Sequence, residues 1–287
     1  MFPTINPAVI AVSVILLSAC GGPISPVDNP DADGPDSDDS TTTERVLLHE
    51  MFTGSNCGPC FEADANLMEV LDERPERFTL LSYQVGSDPY MSNEGVRRRM
   101  YYLPGESGYA IPYLHVDGHQ HLHPTLGNNE LGYTTELFDE FAVPPSNIEL
   151  AVSHSLVGQT VSFQITLHAL DDIPSEDLLL HAAIIEGVTY NNVGINDQTE
   201  FHHVMKKMVP DHHGTPVGPF LKGEDLELEL SWTFEGDYVT GTGPTNMVDH
   251  SVEHTVEEFE DLSVIVWIQD NQTWEVHQSA GSTTDSH

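Results

Sequence analysis

Apolar positions along the chain fall into two textures. In the first, apolar runs with helical spacing alternate with short strand-like ones. Val46-Leu47-Leu48 is a compact apolar run. After it, Phe61, Ala65, Leu67, Met68, Val70 and Leu71 recur close to every 3.6 residues, which predicts a helix ending near Glu73, ahead of Pro75. Phe78 to Val85 is β-rich, and Asn93 to Tyr102 has a helical pattern. Ala110 to Gly118 predicts a strand that opens with Ile-Pro and closes with an Asp-Gly turn. Gly127 to Phe141 predicts a loop and then a helix, and Pro144-Pro145 closes the unit.

Beyond Ser146 the helical spacing disappears. Ile148 to Leu156, Thr160 to Leu170, Leu178 to Thr189, Leu226 to Phe234, Leu262 to Gln269 and Trp274 to His277 are β-rich runs separated by Gly, Pro, Asn and Asp. Alternation is clearest in Val161-Ser162-Phe163-Gln164-Ile165-Thr166-Leu167 and in Leu226-Glu227-Leu228-Glu229-Leu230. Short antiparallel strands without intervening helices predict an all-β immunoglobulin-like sandwich over residues 146–287. No catalytic constellation is visible in it.

Chemistry enters at Cys57-Gly58-Pro59-Cys60, between the first predicted strand and the first predicted helix. Two intervening residues let both sulfurs close a small ring, and a helix start favours the thiolate of the first cysteine through unpaired N–H groups and the helix dipole. Cys57 is then the exposed attacking sulfur, and Cys60, one turn into the helix, the covered resolving one. Strand, Cys-x-x-Cys helix, strand, helix, Ile-Pro strand and helix is the order of an α/β thioredoxin-like fold, expected over residues 45–145. In that fold the Pro before the third core strand is cis and packs against the cysteines. Here that position falls on Pro112, leaving the backbone of Ile111 to pair with a substrate strand, with Gly58 and Pro59 on the same contact surface. Gly-Pro between the cysteines, as in thioredoxin, biases such a pair towards the reducing end of the scale, about −270 mV in that protein.

Composition narrows the partners. The chain has 287 residues, 39% of them apolar, which is enough for real cores. With 46 acidic against 9 basic side chains and a formal charge of −37, it lacks the clustered Lys and Arg that nucleic acid or anionic headgroups require. The charge suits a solvated acidic surface in a saline or otherwise demanding environment.

The beginning of the chain bears on its compartment. Ala8 to Leu17 is apolar over roughly a signal-peptide length and ends in Leu17-Ser18-Ala19-Cys20. That tetrapeptide resembles the lipobox of bacterial lipoproteins, with residues 1–19 as signal and Cys20 as the lipidated residue. No Lys or Arg precedes Arg45, so the usual basic segment is missing, and an ordinary cleaved signal with an incidental Cys is the alternative. Gly21 lacks the Asp that retains such lipoproteins in the inner membrane, which favours the outer one. Cys57 and Cys60 are then the only pair left, and a pair so close in sequence staples almost nothing. Residues 20–44 are Pro, Asp, Ser and Thr with almost no large apolar residue, and predict a disordered acidic tether. Within it Asp31 to Asp39 loosely follows a calcium loop, but its Gly falls too early and no Glu closes it.

Phe52 to Cys60, Gly86-Ser87-Asp88-Pro89-Tyr90, Asn93-Glu94-Gly95, Ile111-Pro112 and Val116-Asp117-Gly118 together resemble the twenty-eight-kilodalton family of bacterial outer-membrane lipoproteins. Glu200 to Pro210 with Gly214, and Val264 to Asp270 through Val276, extend the likeness to most of the chain from about Val46 to Ala280. The resemblance implies a thioredoxin-like half joined to a β-sandwich half. Two positions depart from thioredoxins: Asn56 stands where Trp precedes the first Cys, and apolar Met51 stands where an acid is buried beneath the pair. Glu50 is next to Met51, but alternation points it to the opposite face unless the strand is bulged.

The expected function is a membrane-anchored thiol–disulfide oxidoreductase of the cell envelope, periplasmic or surface-facing, acting on protein thiols and disulfides with an unidentified electron donor and no cofactor. The alternative is a non-catalytic outer-membrane lipoprotein that binds a partner through its sandwich over a vestigial scaffold. A metal-binding reading rests on His119, His121 and His123 with His115, on His202-His203 and on His212-His213, since neutral imidazole suits copper or zinc.

Overall fold

The structure, a computed structural model, describes residues 41–102, 110–122, 132–240 and 247–284. The apolar segment from Ala8 to Leu17, Cys20, the stretch from Asp31 to Asp39, His123 and the side chain of His121 lie outside what is described. In chain order the elements are β1 (Leu47–Thr53), α1 (Cys60–Asp72), β2 (Phe78–Gln84), α2 (Asn93–Tyr102), β3 (Tyr113–Val116), β4 (Gln120–Leu122), α3 (Thr135–Phe141), β5 (Ile148–Val157), β6 (Thr160–Ala169), β7 (Leu178–Thr189), β8 (Phe201–Val209), β9 (Thr215–Pro216), β10 (Asp225–Thr233), β11 (Asp237–Tyr238), β12 (Glu253–His254), β13 (Leu262–Asp270), β14 (Val276–Gly281) and β15 (Thr283–Thr284).

The expected fold class, an α/β thioredoxin-like fold followed by an immunoglobulin-like sandwich, is overturned. Among the described residues strand predominates, 44% against 15% helix, and there are three α-helices. One nine-stranded mixed sheet runs β14-β13-β7-β8-β2-β1-β3-β4, with β9 alongside β7. Strands from both sides of residue 145 therefore share one sheet. The junction is β8, which runs antiparallel to β7 and parallel to β2 through the pair Ser82 and Val204.

The strands reveal why the sheet can be continuous. β7 sends Leu178, Leu180, Ala182 and Ile184 to one face and Ala183 and Ile185 to the other, and both sets are buried. β13 does the same with Val264, Val266 and Ile268 against Ile265 and Trp267. A strand apolar on both faces belongs in the interior of a covered sheet, not in a sandwich with one face in water. By contrast β6 keeps one buried and one wetter face, and with β10, β5 and β15 forms a separate four-stranded sheet.

Three layers of side chains follow. On one face of the large sheet Leu48, Phe52, Tyr83, Tyr113, Met208 and Trp267 make a single core across both parts of the chain. Each such fully buried large side chain stabilises by about 2 kcal/mol relative to exposure. On the other face, α1 and α3 cover β1 to β3 through Leu67, Leu71 and Phe138. The four-stranded sheet covers β7 and β13 through Phe163, Ile165 and Leu167.

Candidate functional site

β1 and β2 run parallel and end side by side, Thr53 opposite Gln84, so the loops that follow them meet. Gly54 makes that meeting possible: a Cβ there would lie 2.6 Å from the Cα of Gly86. The loop after Gly54 closes with the Cys57 N–H donating to the Gly54 carbonyl at 3.1 Å, and Pro59, in helical conformation, begins α1. Cys57 and Cys60 are joined as a disulfide, with Cα atoms 5.4 Å apart. Cys57 is partly exposed; Cys60, the first residue of α1, is fully buried. Gly58 and Pro59 stand exposed between them.

The loop before β3 completes the front of the site. The Ile111–Pro112 peptide is cis, and the Ile111 carbonyl oxygen lies 3.4 Å from Cys57 Sγ. In the disulfide that sulfur carries no proton, so this is a sulfur–oxygen approach; after reduction the same geometry places the Cys57 thiol to donate to Ile111. Asn56, in place of an aromatic, donates its Nδ2 to the Ser87 carbonyl at 2.7 Å and ties the cysteine loop to the loop after β2.

Glu50 lies on the far face from the cysteines, as alternation from Met51 requires, and is buried in an ion pair with Arg98. Met51 packs among the residues under α1. Two other carboxyls sit near the pair. Asp88 is buried, accepts from the Gly86 N–H at 3.1 Å, and its Oδ2 is what a Cβ on Gly54 would strike at 2.6 Å. Asp64, one turn beyond Cys60 on α1, accepts from Thr53 Oγ1 at 3.0 Å and from Gln198 Nε2 at 3.2 Å. Burial pushes both acids up to about 7. The signal for Asp64 was present in the sequence: Cys60, Ala63, Leu67 and Leu71 are the buried stripe of α1, and position 64 falls on it.

The segment between β7 and β8 also reaches the site. Asn196 and Gln198, both buried, contact the cysteine loop and Asp64. No local pattern in Asn191 to Thr199 predicts that contact, which depends on a long-range return of the chain.

The histidines are scattered. His115 is buried in β3 and stacks on Tyr102 at 4.0 Å between centroids. His203 is held low, to about 4, by burial, and His212 and His213 lie beside Asp211 in a turn. The described residues do not bring these three positions to one centre.

No protein-family description matches the chain, and no curated protein does. Two solved structures share its fold. HBP35 of Porphyromonas gingivalis superposes with a TM-score of 0.62 at 14% identity, covering 86% of this chain and 77% of its own. A structural-genomics protein of Agrobacterium tumefaciens superposes at 0.52 with 16% identity, covering 83% of this chain and 95% of its own. At these identities the likeness is one of fold. No helix among the described residues is long and apolar enough to cross a membrane.

Proposed function

We propose that this chain is a thiol–disulfide oxidoreductase of the bacterial cell envelope that acts on protein thiols or disulfides through Cys57 and Cys60. The observation that carries the reading is the asymmetry of the pair: Cys57 is reachable from outside, Cys60 is wholly covered, and they are within bonding distance at the start of a 13-residue helix. An incoming disulfide is attacked by the Cys57 thiolate, which the helix start favours, and the mixed disulfide is resolved by Cys60. Ile111, whose carbonyl already faces Cys57 Sγ, and Pro112 form the wall along which a substrate backbone would lie. Gly58 and Pro59 offer the small exposed surface a bulky partner needs.

The lipobox-like sequence ending at Cys20 and the resemblance to the twenty-eight-kilodalton outer-membrane lipoproteins support a lipid-anchored form at the outer membrane. The test is reduction of insulin disulfides by the full chain, with Cys57→Ser alongside and the potential of the pair read by equilibration with glutathione. Turnover abolished by Cys57→Ser supports the reading. A pair that equilibrates with glutathione yet reduces no protein disulfide overturns it. Cys20→Ser is expected to release the chain from the membrane fraction.

A further inference from the structure

The chain leaves β8 at Val209 and returns as β9 at Thr215, and both strands pair with β7. Val209 stands opposite Ala182 and Thr215 opposite Leu180, so the turn between them arches over His181. It is tied down from within as well. Lys207 Nζ donates to the Pro210 carbonyl at 3.1 Å, and the Gly214 N–H donates to the Asp211 carbonyl at 3.4 Å. A turn held at both ends presents its side chains with little ordering left to do.

Those side chains are Asp211, His212 and His213, and each offers one ligand atom within 4.8 Å of the other two. Asp211 Oδ1 accepts from the His213 N–H at 2.8 Å and lies 3.1 Å from His213 Nδ1. Two donors that are each about 2.1 Å from one ion stand about 3 to 3.4 Å apart, so this oxygen and nitrogen already span one edge of a coordination shell. The His212 and His213 rings are 3.9 Å apart between centroids, tilted by 38°. Asp211 and His213 are exposed and His212 is half-buried, so closing a nitrogen of His212 onto that edge requires no repacking of a core.

The floor of the turn is unusual too. His181 is buried and stacked on Trp267, and neither of its ring nitrogens has a hydrogen-bond partner among the described residues. Its Nδ1 and Cε1 edge lies against the turn, where a Cβ on Gly214 would fall 2.8 Å from both atoms. Burial holds this imidazole well below the ordinary histidine range, so it sets an uncommitted lone pair and no positive charge beneath the cluster. Of the cations near His212, Lys207 is taken up by Glu94 and Arg97 points into solvent. The net charge of −37 concentrates cations around the chain as a whole.

We propose that Asp211, His212 and His213 bind one divalent transition-metal ion of the zinc or copper(II) class, through the Asp211 carboxylate, His213 Nδ1 and a ring nitrogen of His212. The ion takes the place of the hydrogen bond between Asp211 and the His213 ring, and that imidazole keeps its proton on Nε2. The backbone N–H of His213 still holds the carboxylate in place. Imidazole with one carboxylate is a donor set that suits these ions and not magnesium or calcium, which prefer oxygen throughout. Three protein donors leave a position of a tetrahedral shell open to water. The site is separate from the cysteines and does not depend on their redox chemistry.

The experiment is calorimetric titration of zinc chloride into the full chain, with the Cys57–Cys60 disulfide intact and excess magnesium present to occupy the scattered carboxylates. One equivalent of zinc is expected to bind more tightly than any other. His212→Ala, His213→Ala and Asp211→Asn are each expected to weaken it by at least about tenfold. All three side chains lie at the surface, so the variants keep the fold. His168→Ala is the control, because His168 also meets a carboxylate, Asp225 at 2.7 Å, but on an exposed strand edge and outside the cluster. It should bind zinc as wild type does. Copper(II) gives a second readout, in which the electron paramagnetic resonance of the tight equivalent shows two imidazole nitrogens in wild type and one in His212→Ala or His213→Ala. The proposal is overturned if no equivalent is tighter than the rest, if the three variants bind as wild type, or if His168→Ala weakens binding as much as they do.

Discussion

Arg98 grips Glu50 with two hydrogen bonds, Nε to Oε1 at 2.7 Å and Nη2 to Oε2 at 2.9 Å, and both side chains are fully buried. Tyr83 and Tyr102 donate their hydroxyls to the same carboxylate, and Gln269 from β13 accepts from Arg98 at 2.6 Å. Burial opposes the charge on Glu50, but Arg98 and these donors outweigh it and hold the carboxyl below its ordinary range. The pair fastens α2 to β1 and β13, strands from either side of residue 145.

A buried ion pair is destabilising to break and close to neutral to replace whole. Arg98→Met alone strands a buried carboxylate and is expected to cost about 3–5 kcal/mol in urea unfolding. Adding Glu50→Leu to it should recover much of that loss. If the double replacement is no better than the single one, the pair contributes net stability and not merely mutual compensation.

How much of this was legible beforehand varies by element. α2 is found where its pattern predicts it, Asn93–Tyr102, and the alternation of β6 and β10 predicts their wet and dry faces. β8 carries no clear strand pattern in the sequence: Phe-His-His-Val-Met-Lys-Lys-Met-Val mixes polar and apolar residues without alternation. Its two lysines are buried all the same: Lys206 meets Glu186 at 2.9 Å and Lys207 meets Glu94. Glu186 comes from the neighbouring strand and Glu94 from more than 100 residues away, so nothing within β8 itself announces that the charges are compensated. β8 is the strand that joins the two textures, and without it they read as two separate folds. At the site, the cysteines and the Ile-Pro step were legible because their spacing is local, whereas Asn196 and Gln198 arrive from about 140 residues away.

Exposure separates the two sulfurs once the disulfide is reduced. Cys57 is partly exposed and Cys60 fully covered at the helix start, so iodoacetamide under native conditions should label Cys57 and spare Cys60. Peptide mass mapping reads the ratio, and denaturant should abolish the difference. Equal native labelling would mean that Cys60 is not covered in the reduced protein.

Asp88 supplies a pH dependence with a definite sign. Burial pushes it up to about 7 from an ordinary value of 3.8. Between those values the folded state holds a proton that the unfolded state has released. Its contribution to stability is therefore full below about pH 4 and is lost as pH rises through about 7. Asp88→Asn keeps the acceptor for the Gly86 N–H and has no charge to bury. The stability of the variant relative to wild type should become more favourable from about pH 5 to pH 8.5, by on the order of 2 kcal/mol. Thermal unfolding of both proteins at the two pH values checks it, and a difference independent of pH would contradict the burial of an ionisable Asp88.

Gly194 tests whether the β7–β8 connection is seated on the cysteine loop in solution. A Cβ at this position would fall 2.4 Å from the Ser55 carbonyl oxygen, a backbone atom that cannot swing aside. Gly194→Ala must therefore lift the connection, break the bonds from Ile195 and Asn196 to Ser55, and carry Asn196 away from the Cys57 carbonyl. The β-strands on either side are anchored by their own ladders, so the fold should survive with a loss of about 1–3 kcal/mol. Amide exchange is expected to accelerate at Ile195 and Asn196 while the strands of the large sheet stay protected. Unchanged exchange at those two amides would show that the contact with Ser55 is not maintained in the native protein.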